Sequence, residues 1–461
     1  MNKKLFIIFP NQLFNIKYIK SFLNKNNFDK NDFLFLLLEH PYYFTRYNFN
    51  KKKLILHRSS MKMYYDYMKS KKYDIRYIEY TEFNKKDSLD SLDSLDKYDV
   101  IRNDVYMFDP IDKIKEFEKY TNKIESPNFL LTKDMYEEYH NKTDKFFFYF
   151  FYMWSKEKLN IIPSIKSKDK ENRQKITSNV DIPLSIPKKL NSVLEKEYID
   201  EAIEYIEKHF SKNCGDTTDF FYPITEKSAK KLLQNFIKTK FKNFGKYQDT
   251  FIDNNDNDND NDNTFALFHS VLSSSINIGL INPSDIINII KKYKKNIPIN
   301  SYEGYIRQLF WREYQRYTYI YADFSGNYFK NTKKLTKDWY LGTVGIPPVD
   351  NCIKKGFHYA YLHHIERLMV IGNYMNISGI SPEEGLKWFM EFSIDSYTWV
   401  MYCNVYDMVF YKTGGKTTRK PYISSSNYIL KMSDYKKGEW SEKWDKKYWS
   451  FRKKNRGKRL F

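Results

Sequence analysis

LFIIF (5–9) and FLFLLLEH (33–40) are short, unbroken apolar runs. Neither alternates apolar with polar residues, so each reads as a strand buried on both faces, the mark of a parallel sheet. Around them the pattern changes. KKLILHRSSMKMYYDYMKS (52–70) reads as a helix, IRYIEY (75–80) as another strand and YDVIRND (98–104) as a fourth. Strands separated by helices predict a Rossmann-like parallel α/β sheet within a first domain, 1–125. No G-x-G-x-x-G follows the first strand, so the sheet carries no dinucleotide fingerprint.

Downstream the character shifts twice. Residues 126–225 are mixed, with Pro163, Pro183 and Pro187 in a polar stretch, and read as a long inter-domain connection. From 226 to 461 the apolar residues recur with helical period, as in KSAKKLLQNFIKTKF (227–241), EGYIRQLFWREYQRY (303–317) and EEGLKWFMEF (383–392), predicting a large all-α domain. Two low-complexity runs, DSLDSLDSLD (87–96) and DNNDNDNDNDN (253–263), read as surface loops. Neither has the glycine and terminal glutamate of a calcium loop.

Composition narrows the class. With 41% hydrophobic and 18% aromatic residues over 461 positions, wholesale disorder is excluded. Lys and Arg number 77 against 57 Asp and Glu, a net +20 that favours a polyanionic partner, most simply nucleic acid. AT-rich coding would raise the lysine count in the same way. From Lys412 onward 16 basic residues face 4 acidic ones, and RKKNRGKR (452–459) suits phosphate contacts. Cys214, Cys352 and Cys403 lie far apart, which argues against a disulfide scaffold or a cysteine-built metal site and fits a reducing compartment. The apolar start before Pro10 is too short for a signal core, and the run Phe146 to Trp154 is about half a membrane span. The expectation is a soluble intracellular monomer, cytoplasmic or in the nucleoid or nucleus, with no membrane partner.

The sharpest chemical signal is YLHHIERLMVIGNYM (361–375). On a helix, His363 and Arg367 share a face at i,i+4, and His364 and Arg367 at i,i+3. Paired histidines on an apolar helix are by themselves more often core groups than catalysts. Two further blocks change the balance: IRQLFWREY (306–314), with Gln308, Trp311, Arg312 and Glu313, and IDSYTWVMYCNV (394–405), with Asp395, Tyr397 and Asn404.

With these blocks the chain resembles the photolyase/cryptochrome family, and within it the prokaryotic (6-4) photolyase or iron–sulfur "photolyase-related" branch. The resemblance runs through NQL (11–13), Glu39, KKK (51–53), SKDKENRQ (167–174), FKNFGKYQD (241–249) and FHSVLSSSINIGL (268–280). It continues through WYLGTVGIPPVD (339–350), HHIERLMVIGN (363–373) and RKPYISSSNYILKMSDY (419–435). It implies an α/β antenna domain joined to a helical domain that holds folded FAD, acting on UV-damaged DNA. Ser270, Leu272 and Ser273 would wrap the flavin phosphates, where short hydroxyls and helix-start N–H groups suit a pyrophosphate. Tyr247, Trp311, Arg312, Arg367, Asp395, Met401 and Asn404 match other positions around the cofactor, with Arg367 paired to Asp395. Trp388, Tyr397 and Tyr428 match an electron relay.

His364 stands where the resemblance implies Asn for cyclobutane-dimer photolyases and His for (6-4) enzymes. Reversing a (6-4) adduct moves a group between bases and needs a proton, which His can shuttle near neutrality. His364 is thus the expected proton donor, with His363 as its neighbour. The lesion must leave the duplex to reach the flavin, and a basic surface would offset that cost.

The chain also departs from the pattern. The four cluster-cysteine positions read Pro348, Lys436, Glu439 and Glu442, so no iron–sulfur cluster is expected. Met401 occupies the position facing flavin N5, where a thioether can give no proton. Asn11 stands where Asp is usual, while Gln12 and Glu39 remain, leaving open a lumazine-type antenna or a cleft filled by aromatic side chains. The leading reading is a light-driven photolyase of the (6-4) type. The alternatives are a cyclobutane-dimer photolyase, a cryptochrome-like blue-light photoreceptor, and a nucleic-acid-binding flavoprotein without photochemistry. A divalent cation near Asp169 or Asp249 is left open.

Overall fold

A computed structural model describes residues 3–83, 104–143, 145–177, 179–252 and 265–458. Both low-complexity runs lie outside the described residues, as does the strand expected at 98–104 apart from Asp104. The chain divides into two compact units. The first comprises Met1–Thr132, Lys188–Leu233 and Leu272–Ile286; the second comprises Lys133–Pro187, Gln234–Val271 and Ile287–Phe461.

The first unit is built on five parallel strands, β1 (Lys4–Ile8), β2 (Phe33–Leu38), β3 (Ile75–Ile78), β4 (Val105–Phe108) and β5 (Asn122–Ile124), in the order β3-β2-β1-β4-β5. All six residues of β2 are buried, as the unbroken apolar run requires. Leu5 pairs with Leu34 on one side of β1 and with Val105 on the other. The strand order reverses at β1, so the carboxyl ends of β1 and β4 flank a topological switch point. Helix Lys51–Ser70 crosses from β2 to β3, started by the Asn50 side chain accepting the Lys52 N–H.

Helix Val193–His209 packs along Lys51–Ser70. The expected connection 126–225 therefore contains structured elements of both units: Lys133–Lys142 and Phe148–Lys158 belong to the second, Val193–His209 to the first. The last of these had a legible signal. Ser192 and Glu195 form a capping box, the S-x-x-E pattern that starts helices. The apolar face it opens is covered only by a partner far away in sequence. The KKK at 51–53 is buried against the same region, with Lys52 paired to Asp216 at 2.5 Å and Lys51 to Glu207 at 2.9 Å.

The second unit is helical. Its longest helix, Ile299–Tyr321, packs against Phe148–Lys158 and against the segment Thr398–Val409. Buried carboxylates on this helix are satisfied rather than bare. Glu303 accepts from Tyr152 Oη and the Lys168 N–H, and Glu313 from Tyr136 Oη. Helix Pro347–Tyr359 opens with proline in its first turn, where the missing N–H costs nothing. Among the described residues no helix is long and apolar enough to cross a membrane.

Candidate active site

The segment carrying the two histidines is not the regular α-helix the spacing suggested. Residues 361–363 are irregular, His364 and Ile365 open in α geometry, Glu366–Gly372 is a π-helix, and Asn373–Ile377 returns to α geometry. A second π-helix, Tyr402–Val409, packs against the first. Gly372 permits the approach. A Cβ there would lie 2.5 Å from Val409 Cγ2 and 2.9 Å from the Arg367 carbonyl oxygen. Gly372→Ala is therefore expected to lower stability by about 1–3 kcal/mol, the usual range for overpacking, read as a fall in the urea midpoint at unchanged slope. π-turns recur at functional sites because the wider turn re-aims side chains.

The irregular start separates His363 from His364. His363 is buried, its ring stacked on His269 at 4.7 Å and 10°. Burial holds its pKa well below 6.5, so it is a neutral ring. Glu366 accepts the His363 backbone N–H at 3.1 Å and pairs with Lys355. His364 points the other way. It is open to solvent, yet protein surrounds it densely enough that desolvation, with Arg367 and Arg307 beside it, lowers its pKa to about 4. Of the two histidines named from sequence, His364 is exposed and His363 is buried.

Arg367 and Asp395 form the expected pair, bidentate, at 2.9 and 3.1 Å. Ser393 Oγ also donates to Asp395, and Arg367 Nε donates to the Leu362 carbonyl at 2.7 Å. The guanidinium therefore fixes the backbone one residue before the histidines. On helix Ile299–Tyr321, Arg307 pairs with Asp169 at 2.8 Å and Gln315 Nε2 donates to Asn404 Oδ1 at 3.0 Å. Trp311 is stacked face to face on Phe148 at 3.7 Å. Arg312 lies over the Trp399 ring at 4.8 Å, and desolvation lowers its pKa to about 10. Met401 is buried at the junction of helix Thr398–Met401 and the second π-helix.

Ser270 Oγ accepts from Tyr305 Oη at 3.2 Å in the second unit. Tyr247 stacks on Phe268 at 5.2 Å within an apolar cluster, backing the same loop. Leu272 and Ser273 belong to the first unit, where the short helix Ser273–Asn277 has two buried hydroxyls, Ser274 and Ser275, without a hydrogen-bond partner.

Trp388 is fully buried, packed on Phe392 at 4.6 Å, and Nε1 donates to the Trp339 carbonyl at 2.7 Å. Trp339 lies 6.1 Å from Tyr374, which lies 4.8 Å from Trp444. This aromatic row was hidden in the sequence by sheer number, since 41 tyrosines and 8 tryptophans offer too many candidates. Tyr397 is buried on the far side of Asp395 in the sequence, and Tyr428 stands beside Asp249 instead.

Asp249 is held up at about 6 by desolvation, and Asp169 is engaged by both Arg173 and Arg307. Among the described residues no group of three or more His, Cys, Asp or Glu side chains could hold a metal. The positions Pro348, Lys436, Glu439 and Glu442 do not fit an iron–sulfur cluster, for none can supply a thiolate. Pro348 sits in the first turn of its helix, and the Lys436 carbonyl accepts from Trp440 Nε1.

The carboxyl edge of the sheet gathers Asn11, Gln12 and Glu39, but the protein occupies them. Glu39 is fully buried, paired with Arg58 at 2.8 Å, and accepts from Tyr77 Oη and the Tyr80 N–H. Gln12 Nε2 donates to the Phe108 carbonyl, and Asn11 Nδ2 to the Pro110 carbonyl. Phe9, His40, Tyr43 and Phe117 pack on one another at the same edge. Glu39 and Gln12 are thus engaged by the protein, whereas Asn11 Oδ1 is buried with no hydrogen-bond partner among the described residues.

Residues 6–222 match the family model of deoxyribodipyrimidine photo-lyase-related proteins. Over 309 residues the chain is 32% identical to a (6-4) photolyase of Agrobacterium fabrum, covering 63% of this chain. By these likenesses the chain is similar to photolyases and photolyase-related proteins. The match spans 58% of that (6-4) photolyase's own length. An 84-residue stretch is 58% identical to the uncharacterized protein R855 of Acanthamoeba polyphaga mimivirus, covering 18% of this chain and 68% of that protein. In fold the chain is similar to a bacterial class III photolyase from Agrobacterium tumefaciens, with a TM-score of 0.55 at 14% identity over 98% of this chain and 86% of that one. Photolyases and cryptochromes typically bind FAD. The residues here fit it. Within the second unit, the half-buried Arg312 and the bidentate Arg367–Asp395 pair are charged donors of the kind a flavin accepts.

Proposed function

We propose that the protein is a light-driven DNA-repair photolyase that uses reduced FAD to reverse (6-4) pyrimidine photoproducts in UV-damaged DNA. The observation that carries this reading is His364, a solvent-exposed imidazole two of whose neighbours are the cations Arg367 and Arg307. Bound FAD supplies the electron on illumination. The chain's own residues do the rest. Ser270, Leu272 and Ser273 hold the phosphates, and Tyr247, Trp311, Arg312, Met401 and Asn404 shape the pocket. Arg367, fixed by Asp395, orients the flavin edge and the backbone before His364. His364 holds the proton that the (6-4) adduct needs and that cyclobutane splitting does not. Trp388 and the Trp339–Tyr374–Trp444 row, with Tyr397 and Tyr428, are the oxidisable groups for refilling the flavin. Damaged DNA is the partner, bound by a monomer through the basic tail, with no iron–sulfur cluster and no antenna required.

A second reading, a blue-light photoreceptor, is favoured by one residue. Met401 is buried where the family places a group near flavin N5, and a thioether can donate no proton there. One experiment separates them. The protein with reduced flavin is illuminated with an oligonucleotide carrying both lesion types, and each product is followed by chromatography. Loss of the (6-4) product is the expected outcome. Loss of cyclobutane dimers alone would keep the enzyme class and overturn the lesion; no repair with FAD bound and reduced would favour the photoreceptor.

A further inference from the structure

Lys240 is 1% exposed, and among the described residues no carboxylate pairs with it. Its ammonium donates instead to two backbone carbonyls, Ser185 at 2.7 Å and His269 at 3.2 Å. Both lie on the frame of one loop, 265–271, because Ser185 Oγ accepts the Ala266 N–H at 2.7 Å. That loop is strained. Leu267 has φ +46° and Val271 φ +55°, left-handed values that a β-branched residue rarely adopts. Such residues persist only where their surroundings over-determine them. The loop carries Ser270, and its His269 ring lies against His363, directly behind His364.

We infer that Lys240 is a positioning residue for the cofactor segment: by tying the His269 carbonyl to the Ser185 carbonyl it holds the left-handed loop that presents Ser270 and seats His363. This rests on the flavin reading above. A buried ammonium without a carboxylate is costly, and an apolar residue of similar length would serve better if the position only filled space. Desolvation lowers the pKa of Lys240 to about 7, so it changes charge in the accessible range. The titratable groups that act on His269 beside it are His363, His364 and Glu366 from the histidine segment, and Lys355 of helix Pro347–Tyr359 donates to the Phe265 carbonyl of the same loop. The three imidazoles lie below 6.5 by the same burial and stay neutral above pH 6.5.

The test compares the full-length protein with Lys240→Met and Ser185→Ala. FAD affinity is read from the fluorescence of released flavin at pH 6.5 and 8.5, and apoprotein stability from its thermal midpoint. Lys240→Met should weaken FAD binding about tenfold at pH 6.5, the worth of one charge-assisted hydrogen bond, without lowering the apoprotein midpoint. Wild-type affinity should fall from pH 6.5 to 8.5 as the ammonium loses its charge, and the variant's should not. Ser185→Ala, which removes the Ala266 bond and keeps the lysine, should weaken binding in the same direction and secures the test if Lys240→Met does not fold. Affinity within twofold of wild type in both variants, or an unchanged pH profile in Lys240→Met, would overturn the assignment while leaving the flavin reading intact. A wild-type protein that takes up no flavin at either pH would overturn both.

Discussion

Replacing His364 with asparagine will lower (6-4) repair at least about 100-fold, the usual scale of a lost general acid, while FAD uptake stays at wild-type level. The side chain is solvent-open and makes no protein hydrogen bond that the fold depends on, so the loss will sit in the chemical step. Its protonation state gives a second readout. Desolvation first, then Arg367 and Arg307, lower its pKa to about 4, so in the free protein His364 is neutral at pH 7. A polyanion brought against the two cations screens them and favours the imidazolium. The His364 resonance should therefore titrate near pH 4 alone and shift upward when damaged oligonucleotide binds. A value unmoved by bound DNA would remove His364 as the donor, because an imidazole neutral throughout has no proton to give.

Breaking the Arg367–Asp395 pair will have the largest effect on stability. The two side chains are 12% and 9% exposed and joined by two hydrogen bonds, so Asp395→Asn removes the carboxylate charge facing a largely buried guanidinium. The expected cost is about 3–5 kcal/mol, seen as a lower urea midpoint of the apoprotein. Flavin retention will fall with it, since Arg367 then loses the carboxylate that aims it. The double variant Arg367→Met, Asp395→Leu separates the two effects. It removes both charges, so most of the stability should return, while flavin binding should not. Recovery of both would reduce the pair to a packing element.

How far the sequence is legible depends on the range of the interactions that make each feature. The parallel sheet was readable because a strand buried on both faces must be apolar throughout, and FLFLLL shows this locally. Arg367 with Asp395 was readable from the ordered motifs around them. The region 126–225 was not, because helix Val193–His209 finds its cover on Lys51–Ser70, more than 120 positions earlier. The sequence positions Glu39 as a ligand group, yet Arg58, on the facing helix, takes its charge.

By itself, then, the sequence determined the α/β and all-α character of its two parts, the resemblance to photolyases, and the residue types at the candidate site. Periodicity and motif order are properties of the chain alone. Only the tertiary structure decided which of two adjacent histidines faces solvent, because His363 stacks on His269 of a distant loop while His364 stays exposed. It alone decided that Glu39 is occupied and that Lys240 is buried against carbonyls rather than solvated. Such outcomes depend on which partner fills the space beside a group, and packing between segments distant along the chain sets that partner.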